Sequence, residues 1–390
     1  MLGSFIYDNP TRIYFGEDSL DHLSEELAKY GPVVQLVFGG GSIRKTGLYD
    51  KAAAILAGCG KKVVLDGGVM PNPTVERVQQ GIAKARAEKT DLLLAVGGGS
   101  CCDYAKAVAA GAWFSGALWD ECYMGKKPLP YDQNILPVGC ILTMAGTGSE
   151  MNGTAVLTSS KSHDKRGCKF GPRLYPRFSI LNPVFTYTLP RYQMAAGIYD
   201  IFCHICEQYF SGEDDNTSDY IAEGLMRSLL TASRAALANP RDYAARSNIM
   251  WTASWALNSL LGLGKKGDWM LHKMGHAVSA WTNATHGMTL ACVTLPYYRY
   301  VLPYGLAKFK RFAMNVFSVR PEGKTDMETA SQGLKCLESW MKELGAAMHL
   351  SELGVGRDML DDIAKSVIIL DAGYKKLTRG EVRQILESAL

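Results

Sequence analysis

No run of about 18 consecutive apolar residues, the length a membrane-spanning helix needs, occurs in this chain, so a membrane is not an expected partner. There is no basic block either. The 42 Lys and Arg nearly balance 38 Asp and Glu, and the formal net charge is only +4. Nucleic acid is therefore not an expected partner. The opening residues, MLGSFIYDNPTRIYFG, lack the basic head and apolar run of a secretory signal, and the expected location is cytoplasmic. A second C-x-x-C is missing. Cys203 and Cys206 form one, which raises a redox or zinc-ribbon reading, but nothing completes a four-cysteine site. The ten cysteines read as free thiols, most of them small packing residues. Histidine is scarce, with seven in 390 residues. Three of the seven crowd into LHKMGHAVSAWTNATHG, residues 271–287.

What is present divides into two textures. A chain of 390 residues is long enough for two cores. From about Pro32 to Pro190, apolar runs that stop at glycine alternate with stretches of helical period. The runs are VVQLVF (33–38), KVVLD (62–66), DLLLAVGGG (91–99), ILPVGCILT (135–143) and FSILNP (178–183). This alternation predicts a parallel sheet with helices on both faces. Beyond Pro190, helical stretches follow one another at 195–210, 218–239, 243–262, 268–281, 305–316, 328–344 and 357–369, with almost no strand-like run. The expected domains are 1–190, α/β, and 191–390, all-α.

Two loops carry the same tetrad: Gly39, Gly40, Gly41, Ser42 after the first run, and Gly97, Gly98, Gly99, Ser100 after the third. Glycine admits close approach of a bound group, and a helix N-terminus favours phosphate. A pair of such loops points to a dinucleotide, although neither fits G-x-G-x-x-G and both could be plain tight turns. A third polar loop, TMAGTGSE (143–150), offers Thr143, Thr147 and Ser149 for a phosphate or ribose, or merely caps a turn.

The histidines pair with a second segment. Asp200 and His204 are one helical turn apart and share a face with Glu207. His272 and His276 repeat the i, i+4 spacing, and His286 follows a short break. One carboxylate and up to four imidazoles suit Fe2+, Zn2+ or a similar ion. The alternative is a buried cluster satisfied by hydrogen bonds alone.

Taken with GGGSIRKTG (39–47), PNPTVERV (71–78), LLAVGGGSCCDYAKAVA (93–109), TMAGTGSEMN (143–152), DIFCHICEQY (200–209) and NIMWTASWALN (248–258), these residues resemble the iron-containing (group III) alcohol dehydrogenase family, nearly end to end. Within it they resemble the butanol dehydrogenase-like, NADPH-dependent aldehyde reductase branch. The resemblance implies that the first domain is Rossmann-like, in a dehydroquinate synthase-like architecture with its site between the domains. It implies Asp200, His204, His272 and His286 as ligands of one divalent metal, Fe2+ or Zn2+. It implies His276 beside nicotinamide and substrate, as the catalytic residue. The pyrophosphate loop becomes Gly97, Gly98, Gly99 and Ser100, with Asp103 close behind, and Thr143, Thr147 and Ser149 touch the cofactor. It also implies an aldehyde or alcohol as substrate, and a homodimer.

NAD-preferring relatives carry an acidic residue in the first loop. Here Gly39, Gly40 and Gly41 fill that place, and Arg44 and Lys45 stand just beyond, so NADP(H) is expected over NAD(H). Asn182 stands where relatives often have Asp. Cys101, beside the phosphate loop, is expected to make the protein sensitive to oxidation. Trp251, Trp255, Trp269 and Trp281 are candidates for a substrate pocket or for core packing. Rival readings are a polyol dehydrogenase or dehydroquinate synthase-like lyase, a metal-dependent hydrolase that ignores nicotinamide, and a non-catalytic binding protein.

Overall fold

In the computed structural model, residues 2–212 and 215–390 are described. They form two compact units, Asp8–Leu189 and Pro190–Leu390, the second joined by the N-terminal segment through Tyr7. That segment is tied on by the Gly3 N–H donating to the Gly264 carbonyl at 2.8 Å.

The first unit holds eight strands among its described residues: β1 (Arg12–Phe15), β2 (Val33–Phe38), β3 (Lys62–Asp66), β4 (Leu92–Gly97), β5 (Val138–Leu142), β6 (Thr154–Ser159), β7 (Asp164–Lys169) and β8 (Phe178–Leu181). Six of them form a wholly parallel sheet in the order β1-β8-β5-β4-β2-β3. Every residue of β4 and β5 is buried. That is why these strands read as unbroken apolar runs rather than alternating ones. The helix Gly99–Gly111 is buried along almost its whole length, which its small residues allow. The topology has a functional consequence. From β2 the chain steps outward to β3, then returns to β4 and steps the other way to β5. The order therefore reverses between β2 and β4, and in open α/β sheets a crevice forms at the strand ends beside such a switch point.

Three strands escape the sequence reading. β1 is a four-residue edge strand whose partner, β8, lies over 160 residues away. β6 and β7 form a separate antiparallel hairpin, tied to the rest by Lys165 Nζ donating to Asn72 Oδ1 at 2.7 Å. Asn182 caps the short turn after β8. Its Oδ1 accepts from the Val184 N–H at 3.0 Å while its Nδ2 donates to the Glu17 carbonyl at 2.8 Å. A carboxylate could not make the second bond.

The second unit is helical, with no strand among its described residues. Its central helix, Arg191–Tyr209, is buried from Met194 to Tyr209. Against it pack Thr217–Ala238, Tyr243–Ala256, Met270–Thr282 and His286–Val301, and the unit also holds Leu306–Phe317, Asp326–Leu344, Leu360–Ser366 and Arg379–Glu387. Trp340, Phe202 and Tyr199 anchor one side of that core, with the Phe202 and Trp340 rings 4.8 Å apart. Neither His286–Val301 nor Arg379–Glu387 is legible in the sequence pattern. The first begins directly after the histidine segment and carries Pro296 inside it.

Candidate metal centre and nucleotide loops

The central helix buries polar groups where a helix of its position should be apolar. Asp200 and His204 are each 4% exposed, and Glu207 is 1% exposed. Their spacing puts all three on one face. The helix Met270–Thr282 brings His272 against them, with His276 one turn further on, and His286 opens the next helix. Trp269, just before His272, holds a left-handed φ of 61°, rare for so large a side chain. Its ring packs 5.4 Å from that of His272 and 6.2 Å from that of His204. Trp251 and Trp255 instead pack edge to face on each other.

The side chains converge on one point. His204 Nε2 and His272 Nε2 are 3.0 Å apart. Asp200 Oδ1 lies 3.6 Å from His204 Nδ1, 3.6 Å from His272 Nε2 and 3.8 Å from His286 Nε2. Asp200, His204 and His272 each offer an atom within one metal-sized space. The His276 ring is 5.0 Å from that of His286 and 6.0 Å from that of His272, beside this space rather than in it.

The electrostatics suit a cation. Asp200 Oδ1 and His204 Nδ1 are buried without a hydrogen-bond partner, a costly state unless something positive joins them. Burial alone would raise the Asp200 carboxyl, but His204, His272 and His286 outweigh it and hold the group well below the usual carboxylate range. Burial lowers His204 to about 4, so it is neutral and able to ligate at neutral pH. Burial would lower His272 too, yet Glu207 and Asp200 outweigh it and raise it to about 9. One carboxylate with imidazoles is a donor set that fits Fe2+ or Zn2+.

Glu207 does more than share a face. It contacts His272 Nδ1, and its Oε1 accepts from the backbone N–H of Leu271 at 2.7 Å and of His272 at 3.2 Å. The sequence signal was its position three residues after His204; its bonds to the start of the helix at residue 270 appear only in the fold. Cys203 and Cys206 are buried thiols; Cys203 Sγ lies 4.0 Å from both Glu207 Oε2 and His272 Nδ1, and Cys206 packs against Met226 at 3.7 Å.

In the first unit, the glycine loops sit at the C-terminal ends of β2 and β4, the two strands that flank the switch point. The helix Gly99–Gly111 begins at Gly98 with no side-chain cap, leaving its first N–H groups available to an anion. The third loop lies alongside, with the Thr143 N–H donating to the Gly97 carbonyl at 2.9 Å. Gly99 is required by close approach, because a Cβ there would run into the Thr147 side chain. Gly40 and Gly41 face open space. Gly97, Gly98, Gly99, Ser100, Thr143 and Thr147 are thus brought together. Asp103 and Ser149 are not part of that surface. They are buried against each other, with Ser149 Oγ donating to Asp103 Oδ1 and the Val156 N–H donating to Asp103 Oδ2 at 3.0 Å. Beneath them the fully buried Lys106 donates to the carbonyls of Ser149 and Asn152 at 2.9 and 3.0 Å. These contacts fix the loop from below.

The expected oxidative sensitivity of Cys101 has no basis in this environment. Its side chain is 4% exposed, and burial pushes its thiol up to about 12, so it is no thiolate at neutral pH.

The family described as "Iron-containing alcohol dehydrogenase" matches residues 10–183, and "Fe-containing alcohol dehydrogenase family, C-terminal" matches residues 194–390. NADH-dependent butanol dehydrogenase A of Clostridium acetobutylicum is 39% identical over 384 residues, covering 98% of this chain and 96% of its own. The crystal structure of NADH-dependent butanol dehydrogenase A from Thermotoga maritima superposes with a TM-score of 0.93 at 36% identity, over 100% of this chain and 99% of that one.

These relatives overturn the expected preference for NADP(H) over NAD(H). Four relatives 37–39% identical carry the name NADH-dependent, or probable NADH-dependent, butanol dehydrogenase. The NADPH-dependent aldehyde reductase of Escherichia coli is 34% identical, over 94% of this chain and 93% of its own. The Arg44 guanidinium lies 3.9 Å from the Tyr49 ring centroid and 5.5 Å from that of Phe38, and Lys45 beside it is exposed. Lacking an acid at residues 39–41 removes a repulsion from a 2′-phosphate without disfavouring NAD(H). Both family descriptions together span nearly the whole chain, which belongs to the iron-containing alcohol dehydrogenase family.

Proposed function

We propose that Asp200, His204, His272 and His286 hold one divalent ion, Fe2+ or Zn2+, and that residues 39–42 and 97–100, with Thr143 and Thr147, hold NADH for the interconversion of short primary alcohols and aldehydes. The chain is a metal-dependent, NAD(H)-linked oxidoreductase of alcohols and aldehydes. The observation that carries the ligand set is the buried Asp200 Oδ1 facing nitrogens of three histidines. When bound, the ion supplies Lewis acidity to a carbonyl oxygen and the nicotinamide supplies hydride. Asp200 supplies the anionic charge of the set, and His204 and His272 supply imidazole nitrogens from two helices. The uncapped helix start at Gly98 and the glycines before it orient the pyrophosphate. His276, 7% exposed and beside the ligand cluster, relays the proton that the alcohol oxygen gains or loses.

The test is an absorbance assay with butyraldehyde. NADH is expected to give the higher kcat/KM, with turnover lost on chelation and restored by Fe2+ or Zn2+. Turnover unchanged by complete metal removal would sink the reading. His276→Ala is expected to keep the metal but lower kcat by about a hundredfold to ten-thousandfold. Loss of metal in that variant, measured by elemental analysis, would make His276 a ligand instead.

The proposed assembly is a homodimer, consistent with β1 being paired on one side only. The proposed location is the cytoplasm, where ten free thiols stay reduced. Sedimentation of the purified protein at twice the chain mass is the expected result.

A further inference from the structure

We propose that Glu207 is a positioning residue that both caps the helix Met270–Thr282 and turns the Nε2 of His272 toward Asp200 and His204, an inference that rests on the metal-site reading above. The helix needs an outside cap. Its own N-cap residue, Trp269, makes no side-chain cap bond and sits in the left-handed region. The N–H groups of Leu271 and His272 would otherwise be orphaned in a buried place, and Glu207 Oε1 takes both. The second oxygen, Oε2, contacts His272 Nδ1. A carboxylate can only accept, so Nδ1 must carry the ring proton. In the neutral ring that a ligand must be, the lone pair is then on Nε2, which lies 3.0 Å from His204 Nε2 and 3.6 Å from Asp200 Oδ1. One side chain from the central helix therefore sets the start of the second helix, the ring angle and the tautomer of its first histidine. A carboxylate behind a ligating histidine raises its basicity and fixes its orientation.

Glu207→Gln separates the two tasks. The amide keeps an oxygen for the two backbone N–H groups but puts an NH2 against His272 Nδ1. That donor turns Nδ1 into an acceptor and moves the ring proton to Nε2, the atom that must be bare. Zinc-loaded wild type and variant would be compared by competition with a chromogenic chelator, by melting of the metal-free proteins, and by nitrogen-15 NMR of the histidines. The expected result is zinc affinity lower by about ten- to a hundredfold in the variant, beyond what any change in the melting of the metal-free protein accounts for. A merely structural role would move the melting and leave the affinity. Equal zinc affinity in wild type and variant overturns the role of Glu207 alone. A wild type that takes up no zinc overturns the metal reading and this inference with it. Should the variant not fold, the wild-type spectrum decides. In the zinc-loaded wild type, a hydrogen-bonded proton on Nδ1 of His272 supports the inference, and zinc bound through Nδ1 overturns it.

Discussion

Replacing His272 by alanine is expected to strip the helical unit of its metal and abolish turnover while NADH binding persists. The ring supplies Nε2 to the cluster, and its loss also leaves Glu207 Oε2 without its imidazole partner. Only the weak Cys203 thiol donor, at 4.0 Å, then remains to that oxygen, and an under-satisfied buried acceptor costs about 1–3 kcal/mol. The rate effect should be larger. Losing the electrophile costs on the order of 4 kcal/mol of transition-state stabilisation, about a thousandfold in kcat. Asp200→Asn should act nearly as strongly, because it removes the one negative charge among four groups and leaves three histidines around a neutral amide. His286→Ala should be the mildest ligand change. Its side chain is 20% exposed and 3.8 Å from Asp200 Oδ1, so water can take its place more readily. The glycine loops belong to the other compact unit, and NADH affinity measured by fluorescence titration should hold in all three variants. Stoichiometric metal and near-normal kcat in His272→Ala would refute the ligand set.

The legibility of this chain follows from where each signal lives. The strands β2 and β3 stand at the residues their apolar runs predict, because both strand ends are marked by glycine or by a charged residue. The hairpin β6–β7 escaped because DKRGCK, its second strand, is half exposed and mostly polar, and its place is set by Asn72 and Pro73 far back in the chain. The helix beginning at His286 escaped because Thr, Val and Tyr dominate its middle and Pro296 interrupts it. At the site, pairs within one helix were readable from spacing alone, as with Asp200 and His204. The donor set drawn from two helices was expected as well, but the contact that orients it was not. Glu207 meets its partners 64 and 65 residues away, so its role exists only once the fold has closed. Asp103 and Ser149 were placed in the cofactor loop by their neighbours in sequence, yet they turn inward and bond each other. The cofactor reading failed because the lack of an acid at residues 39–41 removes a repulsion from a 2′-phosphate without selecting against NAD(H).

Gly99→Ala tests whether the loop at the switch point holds the cofactor through its backbone shape. The added methyl would strike Thr147 at its Oγ1, Cγ2 and Cβ together, so no single rotation clears it. Thr147 is itself held, its Oγ1 accepting from the Ser149 N–H at 3.2 Å, and Ser149 is anchored below by Asp103 and Lys106. The strain must therefore move the loop away from the end of β4. Overpacking of this kind costs about 1–3 kcal/mol, which corresponds to a loss of about ten- to a hundredfold in NADH affinity if the loop and the helix start bind together. Gly40→Ala is the matched control. Nothing lies within 4 Å of a Cβ at Gly40, so its melting temperature should equal that of wild type. Any loss of NADH affinity there must come from the bound cofactor itself, because the protein offers nothing to strike. Metal content should be unchanged in both variants. If Gly99→Ala destabilises the protein yet binds NADH as wild type does, the pyrophosphate does not sit on this helix start, and the glycines at 97–99 serve only the packing of strand against loop.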